Sequence, residues 1–264
     1  MAGEHTTGAF TNVDAAYLDT VRALDSIQTV KNRAFKLLDI QQGFRILDVG
    51  CGTGDDVLAL ARLVRKGGSV VGIDSSETMI TEAKKRTEGL NLPVEYRLGD
   101  AHTLAFTDNT FDGCRADRVF FHLENPRKAL TEMIRVAQRG ARIVVFEIDW
   151  ETLVIPHPDR TLTRKVLNFL CDSFPNGWMG RQLPALFDEC GLIDIVVIPE
   201  TPPLTNFTLA KRIFRFHEVV EDAQRAAVIS TAEAAKWLDL LEKVGQSGHF
   251  FSAATGFIVS GRKP

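Results

Sequence analysis

The sequence predicts an α/β fold: a doubly wound, mostly parallel sheet of seven strands with a helical N-terminal arm and a helical cap insertion. Three observations carry this reading. Short apolar runs alternate with helix-period patterns from Phe44 to Asp149. A glycine-rich turn, Gly50 to Gly54, stands where the first apolar run gives way to the first helical pattern. The 264 residues are 45% hydrophobic and 25% charged, a globular balance with enough apolar surface for one sizeable core.

The elements follow in order. From Asn12, Val13, Tyr17, Val21 and Leu24 recur at helical spacing, and a second helix ends near Ile40. RILDV is the first strand, and a helix with Val57, Leu60, Ala61 and Val64 on one face follows it. SVVGI, a helix through Met79, Ile80 and Ala83, and then VEYRL continue the alternation. FDGCRAD, a helix bearing Leu130, Met133, Ile134 and Ala137, and ARIVVFEID complete the repeating part. Strand–helix alternation of this kind builds a parallel sheet covered on both faces, and right-handed crossovers make it doubly wound.

Beyond Asp149 the pattern loosens. About 30 residues with the breaker-rich HPD and FPNGW segments precede a helix at Arg181–Cys190. LIDIVVIPE and HFFSAATGFIVSG supply the last two strands. Between them Thr201 to Val244 is too long for a hairpin, and Leu209, Ile213, Phe216 and Val220 fall on one helical face. The expected organisation is therefore an arm or lid at residues 1–43 and a core at 44–149. Residues 150–264 hold the rest of the sheet with cap insertions at about 150–180 and 201–246.

Composition excludes several classes of function. A net charge of −3 gives no general attraction for nucleic acid or an anionic membrane. The longest charge-free stretch, Val244 to Gly261, is too polar to span a bilayer, and MAGEHTTGAF lacks the basic and apolar regions of a secretion signal. The four cysteines are scattered without a C-x-x-C pair, so neither a disulfide framework nor a metal site is expected. The location expected is cytoplasmic.

The chemistry concentrates in ILDVGCGTGDD, where Asp48, Gly50, Gly52 and Gly54 form D-x-G-x-G-x-G between a strand and a helix. Glycines let the backbone approach a ligand, and the following helix N-terminus offers free N–H donors. A dinucleotide site would need a third glycine where Asp55 or Val57 stands, and a P-loop would need Gly-Lys-Ser/Thr. Asp74, 20 residues past Gly54, closes the second strand, where a carboxylate can accept both hydroxyls of a ribose. Gly99-Asp100-Ala101 puts another carboxylate beyond the third strand, within reach of an adenine amino group. Taken singly, each feature also reads as a plain turn or a helix cap; their joint spacing favours a nucleoside site.

With these motifs, GIDSSETMI, GDAHTLAF followed by DNTFD, and RVAQRGARIV, the sequence resembles the class I S-adenosylmethionine-dependent methyltransferases. Within them it is most similar to the type 11 group that includes ubiquinone and menaquinone biosynthesis enzymes. The resemblance runs from about Phe44 to Asp149 and implies a Rossmann-like methyltransferase fold with S-adenosyl-L-methionine as cofactor. It also implies that the Gly50–Gly54 turn, with Asp48 and Cys51, holds the methionine part. Asp74 and the adjoining Ser75 would then take the ribose, Asp100 the adenine amino group, and Met79 and Ala101 the ring faces. The Pro-Gly-Gly usual before the fifth strand is Gln138-Arg139-Gly140 here, in a turn away from the cofactor. Cys51 reads as a small packing residue rather than a nucleophile.

On the acceptor side, the carboxyl ends of strands four and five bring Arg118, Phe121 and His122, and Glu147, Asp149 and Trp150, toward the reacting centre. His122 is the candidate general base, against a reading in which it only orders its loop. Arg118 is the candidate orienter of an anionic acceptor or of the cofactor carboxylate, or else an ion-pair partner of Asp149 or Glu147. His102 reads as shaping the cofactor pocket. Phe169, Phe174, Trp178, Met179, Phe207, Phe214 and His217 make the insertions aromatic, and Phe10 and Tyr17 add rings from the arm. Most such rings form a cap's own core. The function expected is methylation, at oxygen, nitrogen or carbon, of a small hydrophobic or aromatic molecule. The alternatives are a cofactor-binding accessory protein without methyl transfer, and a macromolecular methyltransferase. The partner expected is the small-molecule methyl acceptor, without nucleic acid or membrane; a homodimer is allowed.

Overall fold

The structure, a computed structural model, describes residues 14–264. Asn12, Val13 and Phe10, invoked for the arm, lie outside the described residues. Asp14 caps α1 (Ala15–Arg22) by accepting the Tyr17 N–H at 2.8 Å, and α2 (Asp25–Leu37) follows after a short break. Then come β1 (Arg45–Val49), α3 (Asp55–Val64), β2 (Ser69–Asp74), α4 (Glu77–Thr87), β3 (Val94–Leu98), β4 (Phe111–Asp117), α5 (Pro126–Val136) and β5 (Ala137–Val154). The rest comprises α6 (Arg160–Asp172), α7 (Met179–Glu189), β6 (Ile193–Glu200), β7 (Pro203–Leu204), α8 (Phe207–Phe214), α9 (Phe216–Arg225), α10 (Thr231–Gln246) and β8 (Ser252–Arg262).

The sheet order is β3-β2-β1-β4-β5-β8-β6, with the two-residue β7 paired to β8. β1 to β5 are parallel, while β8 inserts antiparallel between β5 and β6. The carboxyl ends of β1 to β5 therefore share one edge, where an open α/β sheet carries its ligands.

Residue alternation sorts the core into two layers. Ile46, Val70, Val144 and Ile258 join α2, α3 and α4 on one face. Leu47, Val71, Val145 and Val259 join α5, α6, α7 and the cap helices on the other. The central strands β1, β2 and β5 read as largely apolar runs because both of their faces are covered, whereas β3 and β6 at the sheet edges are far less buried.

Three expectations are corrected. The segment before the Arg181 helix is not helix-free, because α6 occupies it. Asp159 of the HPD tripeptide caps that helix by accepting the Leu162 N–H at 3.0 Å. The face drawn through Leu209, Ile213, Phe216 and Val220 spans two helices, because Arg215 at φ 49° breaks the chain between α8 and α9. Gln138 to Gly140 are exposed, as a turn would be, but lie inside β5, where the register with β4 shifts.

The cap has its own core of Phe216, Val219, Val220 and Trp237, and Trp237 Nε1–H donates to Thr163 at 3.1 Å to tie α10 to α6. Among the described residues no helix is long and apolar enough to cross a membrane, and no group of His, Cys, Asp and Glu is arranged to hold a metal.

Candidate active site

The glycine turn is built for close approach. Gly50, Gly52 and Gly54 have φ values of 71°, 52° and 80°, in the left-handed region that a side chain disfavours. A Cβ on Gly50 would collide with Val119, and one on Gly54 would meet the Tyr96 hydroxyl at 2.5 Å. Cys51 N–H donates to Ile73 at 2.9 Å, which binds the turn to β2. Its thiol is buried against Gly72, and burial with the nearby Asp48 and Asp74 pushes it far above its usual range, so it stays a neutral packing group.

Asp74 closes β2 and accepts the N–H of Gly52 on one oxygen at 2.8 Å and that of Ser76 on the other at 2.9 Å. Ser75 is exposed beside it, and Ser76 caps α4 by accepting from Met79 N–H, leaving Met79 half-buried. Asp100 lies exposed past β3, and the backbone and ring N–H groups of His102 hold its carboxyl below the usual range. His102 Nε2 accepts from Asn125 N–H at 3.3 Å, so its Nδ1 carries the proton given to Asp100. Ala101 is buried between them.

Under the turn lies a buried ionic network that sequence reasoning missed. Arg115, 1% exposed, donates to Asp48 at 3.0 Å, Asp56 at 2.9 Å and Asp117 at 2.9 Å, and Lys31 from α2 reaches Asp56 at 2.7 Å. Burial pushes Asp48 up to about 7 against the pull of Arg115, and its Oδ2 finds no partner. For Asp117 burial works against the charge, but Arg118, Lys31 and Arg115 outweigh it and hold the carboxyl well below its usual range. A charged residue inside the apolar strand FDGCRAD was the available signal: a buried arginine must find carboxylates.

Arg118 sits at φ 57° and donates to Asp117 at 2.7 Å. Its ion pair is with that neighbour, not with Asp149 or Glu147 as the sequence suggested; Asp149 is held by Arg181 instead. His122 ends the 3-10 turn Phe120–His122, its ring against Phe121 at 4.0 Å and Phe174 at 5.8 Å. His122 is exposed as a residue, but the protein packed on its ring disfavours the charged form and brings its pKa down to about 4, which makes the imidazole neutral at pH 7.

Phe121, Trp150 and Phe174 pack on one another, Trp150 stacking on Phe174 at 4.9 Å. All three are buried and form one aromatic cluster beside His122. Of the other cap side chains, Met179 and Phe214 are buried, Phe169 and Phe207 half-buried, and Trp178 and His217 exposed.

α1 crosses this region. Leu18 lies 3.2 Å from where a Gly52 Cβ would stand, and Tyr17 donates to the Ile213 carbonyl at 3.2 Å. Arg86 joins Asp19 of α1 at 2.7 Å to Asp55 of α3 at 3.0 Å.

The methyltransferase domain family matches residues 40–181. An uncharacterised 37.1 kDa protein of transposon TN4556 from Streptomyces fradiae is 37% identical over 248 residues, covering 93% of this chain and 70% of that protein. The demethylmenaquinone methyltransferase of Bacillus cereus strain B4264 is 35% identical over 140 residues, 52% of this chain and 59% of that enzyme. The chain thus matches little more than half of the enzyme's length. Among solved structures, a Bacillus halodurans C-125 protein assigned as a methyltransferase shares 20% identity at a TM-score of 0.63, covering 89% of this chain and 99% of that one. With the glycine turn, the strand-end carboxylates and the sheet order in place, the chain belongs to the class I S-adenosylmethionine-dependent methyltransferases.

Proposed function

We propose that this methyltransferase acts on a small, largely apolar acceptor whose reacting atom meets His122. The observation that carries the reading is the His122 imidazole just past β4, its ring against Phe121 and Phe174, with Trp150 stacked on Phe174 behind them. A flat apolar molecule gains from such rings, whereas a macromolecular acceptor would require an open cleft and a binding patch, basic in the case of nucleic acid. The relative from Bacillus cereus, named for demethylmenaquinone, supports the same class of acceptor.

The residues fit the cofactor on grounds internal to the structure: the three glycines hold a left-handed turn packed so tightly on Val119, Leu18 and Tyr96 that a side chain would run into them, its backbone stays bare, and Asp74 accepts from Gly52 within it. S-adenosylmethionine supplies a methyl group on a sulfonium, whose positive charge makes it electrophilic without further activation. The Gly50–Gly54 turn with Asp48 and Cys51 would hold the methionine part, Asp74 and Ser75 the ribose, and Asp100, Ala101, Met79 and His102 the adenine side. Arg118 orients an anionic group, and His122 accepts a proton where the acceptor is a hydroxyl or a carbon acid. A base of this low pKa is weak, so alignment and exclusion of water carry more of the work than proton removal. Of the arm expected at 1–43, the described part, from residue 14, serves as the cover of the turn through α1, 44–149 as the cofactor core, and the insertions at about 150–180 and 201–246 as the acceptor-side cap.

The test is release of S-adenosylhomocysteine from a panel of small aromatic hydroxyl, amine and quinol acceptors, run beside RNA and unfolded protein. Turnover confined to the macromolecules would overturn the reading.

A further inference from the structure

Glu147 stands in β5 one residue past Phe146, the last to pair with β4, completely buried at 0% exposure. Its Oε1 accepts two backbone donors, Val119 N–H at 2.7 Å and Phe120 N–H at 2.6 Å, while its Oε2 has no hydrogen-bond partner. The carbonyls of the same turn are met from the other side, because Asn176 N–H donates to Phe121 at 3.1 Å and the Asn176 side chain to Leu123. The turn is therefore gripped at its donors by β5 and at its acceptors by the loop after α6. Val119 touches the cofactor turn at Gly50, and His122 closes the acceptor end.

We propose that Glu147 is a positioning residue for methyl transfer, locking Val119 against the Gly50 turn and aiming His122 at the acceptor through one carboxyl oxygen. Two adjacent N–H groups converging on one buried point need an acceptor there, and leaving such donors unpaired costs about 1–3 kcal/mol each. A fold that needed only an apolar plug would have no reason to bury a carboxyl at this place.

The charged groups around it do not neutralise it. Asp117 on β4 repels it, Arg118 is engaged by Asp117, Arg181 from α7 is engaged by Asp149 and Glu151, and Phe257 stands across from it on β8. Burial pushes its pKa up to about 8, so at neutral pH Glu147 holds a proton and the clamp is a neutral acid. Ionisation at higher pH leaves charge on Oε2, which has no donor, beside Asp117, and the turn must shift to supply one.

The inference rests on the assignment of the Gly50–Gly54 turn to the cofactor, which wild-type binding of S-adenosylhomocysteine tests by itself. Given that binding, Glu147→Gln preserves a neutral two-bond acceptor, and its calorimetric affinity for S-adenosylhomocysteine should stay within about threefold of wild type. Glu147→Leu should weaken that affinity by about tenfold and shift the His122 imidazole titration, followed by NMR, toward its ordinary range. A folded leucine variant with wild-type affinity and an unmoved His122 titration would overturn the proposal. Should that variant not fold, the pH profile decides: affinity falls above about pH 8 in wild type and stays flat in Glu147→Gln. Identical profiles would overturn it as well.

Discussion

Asp74 accepts the backbone N–H of Gly52 at 2.8 Å, so the second strand's carboxylate props open the first strand's glycine turn. The same group is the ribose acceptor in the proposed site. Asp74→Ala should therefore weaken S-adenosylhomocysteine binding by one to two powers of ten, about 1.5–3 kcal/mol for bonds to a charged group. Calorimetry reads this directly, and an unchanged dissociation constant would remove the ribose assignment.

Gly50→Ala tests the turn itself. At φ 71° an alanine costs roughly 1–3 kcal/mol in backbone strain, and its methyl must displace Val119. The expected result is a stability loss of that order in urea together with loss of cofactor binding. A variant with wild-type affinity would show that the turn does not need its close approach.

Much of this site was legible because strand ends and glycines are local signals: Asp48, Asp74 and Asp100 each follow an apolar run at fixed spacing. The partners of Arg115 were not, because its three carboxylates come from β1, α3 and β4, and only the fold brings them together. Arg118 likewise turned to its own neighbour, since its left-handed backbone redirects the side chain. α6 was hidden by HPD, read as a breaker when its aspartate is the cap that starts the helix; Leu162, Val166 and Leu170 kept the period throughout. The break at Arg215 left no trace, because one left-handed residue hardly disturbs the spacing of Ile213 and Phe216.

Arg115→Leu should destabilise the protein by about 3–5 kcal/mol, since it strands Asp48, Asp56 and Asp117 without their shared cation. Urea unfolding checks the magnitude. Adding Asp48→Asn to Arg115→Leu should recover part of the loss by removing one of the stranded charges. If the double variant were no more stable than the single one, repulsion among the carboxylates would not be the cause.

His122 makes a prediction about acid. Its pKa falls from 6.5 in the unfolded chain to about 4 in the folded one, so the unfolded state binds the extra proton across that interval. The contribution of His122 to stability is therefore fully present above about pH 6.5 and is lost as pH falls through about 4. His122→Phe keeps an aromatic ring against Phe121 and Phe174 but cannot take up that proton. Between about pH 7 and pH 5 the wild type should lose more stability in urea than the variant does, the carboxylates common to both cancelling in the comparison. At pH 7 the variant should also turn over a hydroxyl acceptor more slowly while binding S-adenosylhomocysteine as before. Equal acid sensitivity of the two proteins would mean that folding does not disfavour the charged imidazole, and the packing of Phe121 and Phe174 on the ring would then not keep His122 neutral for an acceptor.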